Sequence, residues 1–94
     1  MASFTTRVEL HRAIDADYAT LHTAMARQGF SRTIQSDAGQ AYHLPTAEYD
    51  ISANLAASDI LARARLAASQ TGKAASVLVT EATRRTWDNL PLVS

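Results

Sequence analysis

The sequence contains no cysteine and only three glycines among its 94 residues. Without cysteine, disulfide bonds, thiolate zinc sites and cysteine nucleophiles are excluded. Three glycines are too few for the glycine-rich loops that cradle phosphate groups, and neither a P-loop nor a Gly-x-Gly-x-x-Gly pattern occurs. The Gly-x-Ser-x-Gly sequence of serine hydrolases is also missing. Composition and motifs therefore name no reaction.

The chain also lacks an excess of either charge and lacks a long apolar run. Nine basic residues balance nine acidic ones, which argues against strong non-specific binding to nucleic acid or to an anionic membrane. No apolar segment is long enough to span a bilayer, and the first residues lack the basic and apolar regions of a signal peptide. We therefore expect a soluble, cytoplasmic protein.

What the sequence does contain is an ordered change of hydrophobic period. Alternation over residues 4–10 predicts a strand, and apolar spacing between Asp15 and Gly29 predicts a helix. Two strands follow, at about 31–36 and 42–51, then a second helix before Gly72 and a strand over about 76–83. The order β-α-β-β-α-β is typical of the ferredoxin-like fold. We predict that residues 1–94 form one α+β domain, with a four-stranded antiparallel sheet in the order 4-1-3-2 and two helices on one face.

The third predicted strand is irregular. Its apolar residues change parity around Pro45, and proline cannot donate a ladder hydrogen bond, so we predict a bulge or a break at Leu44–Thr46. The predicted core consists of Phe4, Val8, Leu10, Leu21, Met25, Ile34, Ile60, Leu61 and Ala64.

The three histidines are too far apart in the sequence to form a local metal site, because no pair has helical i, i+4 or His-x-His spacing. No metal and no other cofactor is predicted. His11 ends the first strand and His43 lies in the third, and a histidine titrates near neutral pH, so it can serve as general acid or base. His43 and His11 are therefore the candidate catalytic residues. The alternative for His43 is a structural hydrogen bond within the hairpin.

Arginine accounts for most of the basic residues. The predicted topology places Arg7 and the Arg84–Arg85 pair on neighbouring strands, and Arg32 on the second strand. Guanidinium groups in this arrangement suit contacts with the phosphates of RNA, so Arg7, Arg32, Arg84 and Arg85 are candidate nucleic-acid-binding residues. The alternative is that they solubilise an exposed sheet face or pair with Glu9 and Glu81.

An apolar tail begins at about residue 84. The tail contains Trp87, Leu90 and Leu92, whose apolar surface is larger than a small sheet can readily bury. The tail therefore either folds back over its own subunit or completes a neighbour's sheet. A domain this short buries only about 60–65% of the surface that its unfolded chain exposes. We therefore predict a homodimer whose interface uses the last strand and the tail, with Trp87, Leu90 and Leu92.

Four segments together resemble the endoribonuclease antitoxins of type V toxin–antitoxin systems, the GhoS family. They are Phe30–Ile34, Tyr42–Tyr49, Leu78–Glu81 and Arg85–Trp87, within a similarity that extends from about Phe4 to Leu90. The resemblance implies a ferredoxin-like fold akin to the Cas2 proteins and cleavage of single-stranded toxin messenger RNA. Cas2-like nucleases place a metal-binding aspartate at the end of the first strand, where this sequence has Val8-Glu9-Leu10-His11.

Two classes of function remain open. The first is an RNA-directed protein resembling these antitoxins, and the second is a non-enzymatic dimeric module that binds a protein partner. Whether the protein is an enzyme is not decided by its sequence.

Overall fold

The chain folds into two helices and five strands. In the computed structural model, which describes residues 1–94, β1 spans Ala2–Leu10 and α1 spans Asp15–Arg27. The hairpin strands β2 and β3 span Thr33–Gln35 and Ala41–His43. The remaining elements are β4 over Glu48–Ala53, α2 over Ala57–Ser69 and β5 over Ala75–Ala82. The predicted α+β class with antiparallel pairing is confirmed.

β1 is the central strand of a three-stranded sheet in the order β4-β1-β5. Its side chains alternate between the two faces, as a strand requires. Phe4, Thr6, Val8 and Leu10 are buried. The three apolar residues among them share one core with the buried side chains of α1 and α2. We call the opposite side of this sheet the open face; β1 contributes to it Ser3, Thr5, Arg7 and Glu9.

Local signals position both helices. The carboxylate of Asp17 accepts a hydrogen bond from the backbone N–H of Ile14 at 3.0 Å, and Asp59 does the same for Ala56 at 3.2 Å. Each contact satisfies a donor that a helix start would otherwise leave unpaired. α1 is followed by Gly29 at φ +93°, a conformation that favours glycine. The next residue, Phe30, donates to the carbonyl of Met25 and enters the core.

The third predicted strand is broken where the proline interrupts it. β3 ends at His43 and β4 begins at Glu48, with Pro45 between them and Ala47 at a positive φ of 67°. Proline supplies no N–H and a positive φ redirects the backbone, so strand pairing is interrupted between β3 and β4.

The predicted single four-stranded sheet is therefore not what the structure shows. β2 and β3 form a separate two-stranded sheet. One isolated bridge connects it to the main sheet, through reciprocal backbone hydrogen bonds of 2.8 and 2.7 Å between Ser31 and Asp50.

The C-terminal tail folds back onto its own subunit. The N–H of His43 donates to the carbonyl of Pro91 at 2.8 Å, and the N–H of Val93 donates to that of Ala41 at 2.9 Å. The tail thus lies along β3, and the Trp87 ring lies 5.5 Å from that of Tyr42. Of the two alternatives for the tail, the structure shows the first.

Most of the predicted core is buried, with one exception, and the structure buries further residues that were not in the prediction. Leu61 is only half-buried, because the inward stripe of α2 runs through Ile60, Ala64, Ala67 and Ala68. Tyr49 and Thr6 are fully buried and were not in the predicted core. The Thr6 hydroxyl has no hydrogen-bond partner.

The unpaired hydroxyl gives a test of the β1 packing. We expect Thr6→Val to leave the free energy of unfolding unchanged or to raise it by about 1 kcal/mol, because the substitution removes a buried polar group without changing side-chain shape. Thr5→Val is the matched control on the open face. It should destabilise, because the Thr5 hydroxyl accepts a hydrogen bond from Arg85. Urea denaturation measures both, and a destabilised Thr6→Val protein would show that this hydroxyl has a partner.

Candidate nucleic-acid interface

Arg7 lies at the centre of the open face. Its neighbours across the sheet are Glu48 on β4 and Leu78 on β5. The side chain is exposed and takes part in no ion pair. His11, just beyond the end of β1, is also exposed, and its Nε2 lies 2.8 Å from the hydroxyl of Ser76. Both groups are accessible to a ligand on the open face.

Arg84 and Arg85 differ in their surroundings although they are adjacent. The Nη2 of Arg85 lies 2.9 Å from Oδ1 of Asp50, and its Nε donates to the Thr5 hydroxyl at 2.8 Å. Arg85 thus attaches the start of the C-terminal segment to β1 and β4. Arg84 is exposed and has no ion pair.

Two concavities border this region. One, of about 280 Å³, is mostly polar and includes Ser3, Asp37 and Arg84 in its lining. The other, of about 390 Å³, lies between the open face and the tail, where Trp87 and Leu90 form part of its wall. Trp87 and Leu90 are half-buried within the subunit, whereas Leu92 is 54% exposed.

The hairpin register separates His43 from Arg32. His43 pairs with Thr33, whereas the carbonyl of Arg32 accepts a hydrogen bond from the N–H of Leu44. Because successive side chains of a strand point to opposite faces, Arg32 and His43 do not share a groove. The structure therefore does not bring these two candidate residues together.

Arg32 has a different histidine as its neighbour. One residue beyond the isolated Ser31–Asp50 bridge, the antiparallel register sets Arg32 opposite Tyr49, on the helix side of β4. There the Tyr49 hydroxyl lies 2.6 Å from Nδ1 of His22 on α1. Arg32, His22 and Tyr49 form a cluster, which we call the helix-side cluster.

The electrostatics of this cluster keep its histidine and tyrosine neutral. Burial, with the nearby Arg32 guanidinium as a smaller cause, lowers the pKa of His22. Burial raises the pKa of Tyr49 to about 12, against a smaller opposing effect of Arg32. At neutral pH the pair is therefore an uncharged imidazole hydrogen-bonded to a protonated phenol.

No three histidine, aspartate or glutamate side chains converge closely enough to hold a metal ion. No helix has the length and apolar character needed to cross a membrane.

Nearly the whole sequence matches a known protein family. A family model described as endoribonuclease GhoS matches residues 1–90. The chain belongs to the GhoS endoribonuclease family. The resemblance predicted from the sequence is thereby confirmed. No curated protein matches the chain.

The helix-side cluster of this GhoS-family protein was missed by reasoning from the sequence. One signal for it was present, because His22 shares a helical stripe with Leu21 and Met25 and so faces inward. The contact with Tyr49 joins residues 27 positions apart, and no local pattern specifies it.

Proposed function

We propose that this protein is an antitoxin endoribonuclease that binds and cleaves single-stranded RNA, with a toxin messenger RNA in the cytoplasm as its substrate. The observation that carries the proposal is the match of residues 1–90 to the endoribonuclease GhoS family.

The open face offers a path for such a substrate. Arg84 and Ser3 border the same concavity, which lies at the first end of β1. Arg7 lies near the middle of β1, and His11 follows the last residue of the strand. Ser3, Arg7 and His11 lie at intervals of four positions in the sequence, so each interval is about 13 Å along the strand. This spacing allows one RNA strand to contact successive cationic and imidazole groups. Arg32 contributes from the other side of the sheet.

Salt-dependent retention on single-stranded RNA tests the binding. Retention should weaken as salt rises, and Arg7→Gln or Arg84→Gln should each reduce the slope of log affinity against log salt by about 0.7. Arg65→Gln is the control, because Arg65 is exposed on α2 and has no ion pair. Absence of salt-dependent binding by the unaltered protein would argue for the protein-binding alternative.

The two open histidines are the proposed acid–base groups. His43 and His11 are both exposed, which leaves their rings accessible to a substrate. We expect His43→Ala or His11→Ala to reduce RNA cleavage about 10²-fold without unfolding the protein, as loss of a general acid or base does. Gel analysis of a labelled RNA measures the rate. A variant that cleaves as fast as the parent removes that histidine from the mechanism.

We further propose that the protein is a homodimer. β5 pairs with β1 on one side and has no strand on the other, and Leu78 on β5 is 64% exposed. An unpaired edge strand is a template for pairing with a second chain. The exposed Leu92 of the tail lies beside Tyr42 of β3, so it would form a second apolar contact away from the β5 edge. Trp87 and Leu90 support the tail from within the subunit. Light scattering that reports a monomer at micromolar concentration would contradict this.

The Cas2-like, ferredoxin-like arrangement is also part of the proposal. The order β5-β1-β4, continued to β2 by the Ser31–Asp50 bridge, corresponds to the predicted order 4-1-3-2. An experimental structure of the dimer is the test, since it would show whether the hairpin stays outside the main sheet.

A further inference from the structure

Tyr49 determines which ring nitrogen of His22 carries the proton. Tyr49 is fully buried, and its hydroxyl has one hydrogen-bond partner, Nδ1 of His22 at 2.6 Å. A buried phenol stabilises its proton by donating it, because an unpaired buried donor is costly. The Tyr49 hydroxyl therefore donates to Nδ1, and the neutral imidazole carries its hydrogen on Nε2.

The Nε2–H group keeps some contact with solvent. It has no hydrogen-bond partner within the protein, and it is not among the buried side-chain atoms that lack one. The half-buried ring of His22 thus presents a fixed, uncharged donor at the protein surface.

Arg32 adds a cation beside this donor. It is exposed, it takes part in no ion pair, and the register places it on the same side of the sheet as Tyr49. The other titratable neighbour is Tyr18, whose hydroxyl accepts a hydrogen bond from the N–H of Leu10. No ion pair within the protein therefore competes for the Arg32 guanidinium.

We propose that Nε2–H of His22 and the guanidinium of Arg32 together bind one phosphodiester of RNA, with Tyr49 as the residue that positions His22. This inference rests on the proposed function. A guanidinium matches the paired oxygens of a phosphate, and a neutral donor adds a hydrogen bond without titrating at neutral pH. Neutral histidine donors that stabilise an anionic oxygen are an established use of a lowered pKa.

The site is distinct from the open-face path. Tyr49 belongs to the core side of β4, whereas Arg7 and its partner Glu48 belong to the open face. The two surfaces are separated by the sheet, so an RNA that occupies both must pass around its edge. Substitutions at the two surfaces should therefore weaken binding independently.

Fluorescence anisotropy with a short single-stranded 2′-O-methyl oligoribonucleotide tests the inference, because this probe has no free 2′-hydroxyl for cleavage. Arg32→Gln should weaken binding about tenfold, as loss of a charged hydrogen-bonding partner does. His22→Asn should weaken it by about the same factor, because asparagine keeps an acceptor for Tyr49 but its shorter side chain carries no donor at the Nε2 position. Arg27→Gln is the control: Arg27 is exposed in the last turn of α1 and has no ion pair.

Nitrogen NMR of the His22 ring tests the positioning role of Tyr49. We expect the Nε2–H tautomer in the unaltered protein and a mixture of tautomers in Tyr49→Phe, with weaker binding of the probe.

If the unaltered protein binds and cleaves RNA while Arg32→Gln and His22→Asn bind equally well, this site is overturned and the proposed function stands. If the unaltered protein binds the probe but cleaves no RNA, the proposed nuclease is overturned and the site is supported by loss of binding in the variants. Absence of any binding overturns both.

Discussion

Replacing Tyr49 with alanine is expected to lower the free energy of unfolding by about 4 kcal/mol, as other truncations of large aromatic residues in protein cores do. Tyr49 is fully buried on β4 and contacts rings from two directions: His22 lies at 5.8 Å and Phe30 at 6.4 Å between ring centroids. Its removal leaves a cavity between β4 and α1 that this small core cannot refill. Urea denaturation monitored by circular dichroism measures the change.

Tyr49→Phe separates the packing of the ring from its hydroxyl. It keeps the aromatic contacts and removes the hydrogen bond to His22, so we expect a loss of about 1 kcal/mol. A Tyr49→Ala protein as stable as Tyr49→Phe would contradict the central place of this ring in the core.

The adjacent arginines should behave differently when each is replaced by alanine. Arg85→Ala removes the partner of Asp50 and the donor to Thr5, and leaves a largely buried carboxylate without its cation. We expect a loss of about 2 kcal/mol, less than for a fully buried pair because both side chains remain about one-fifth exposed. Thermal unfolding measures this loss. Trp87 fluorescence should shift toward that of solvent-exposed tryptophan as the C-terminal segment detaches.

Arg84→Ala is the matched control one residue away. It should change stability by less than about 0.5 kcal/mol, as exposed substitutions usually do, while it weakens RNA retention. Equal stability of the two variants would mean that the Arg85–Asp50 contact does not hold the segment in place.

The parts of the fold that follow from local periodicity were predictable. Alternation along β1 identified the buried face of Phe4, Val8 and Leu10, because a strand has a fixed side-chain period of two. Pro45 correctly predicted the break in the third strand. What the break does to the hairpin was not predictable, since the direction of the chain after Leu44 depends on the positive φ of Ala47 and on pairing with the distant tail.

The candidate site shows the same division. The exposure of Arg7 and His11 on one face follows from the parity of β1. Arg84 and Arg85 look equivalent in the sequence, and a contact between Arg85 and the distant Asp50 distinguishes them. Which residues become the neighbours of Arg32 depends on the strand register around Pro45, and the sequence does not specify that register. The helix-side cluster, assembled from three separate elements, therefore emerged only from the structure.

Cleavage of a labelled single-stranded RNA by the purified protein tests the central claim most directly, with the DNA of the same sequence as control. The account predicts that the RNA is cut, that the DNA is not, and that Arg7→Gln and Arg32→Gln each slow the cutting. Intact RNA after incubation with the unaltered protein, both with and without a divalent metal, would contradict the claim and favour the protein-binding module.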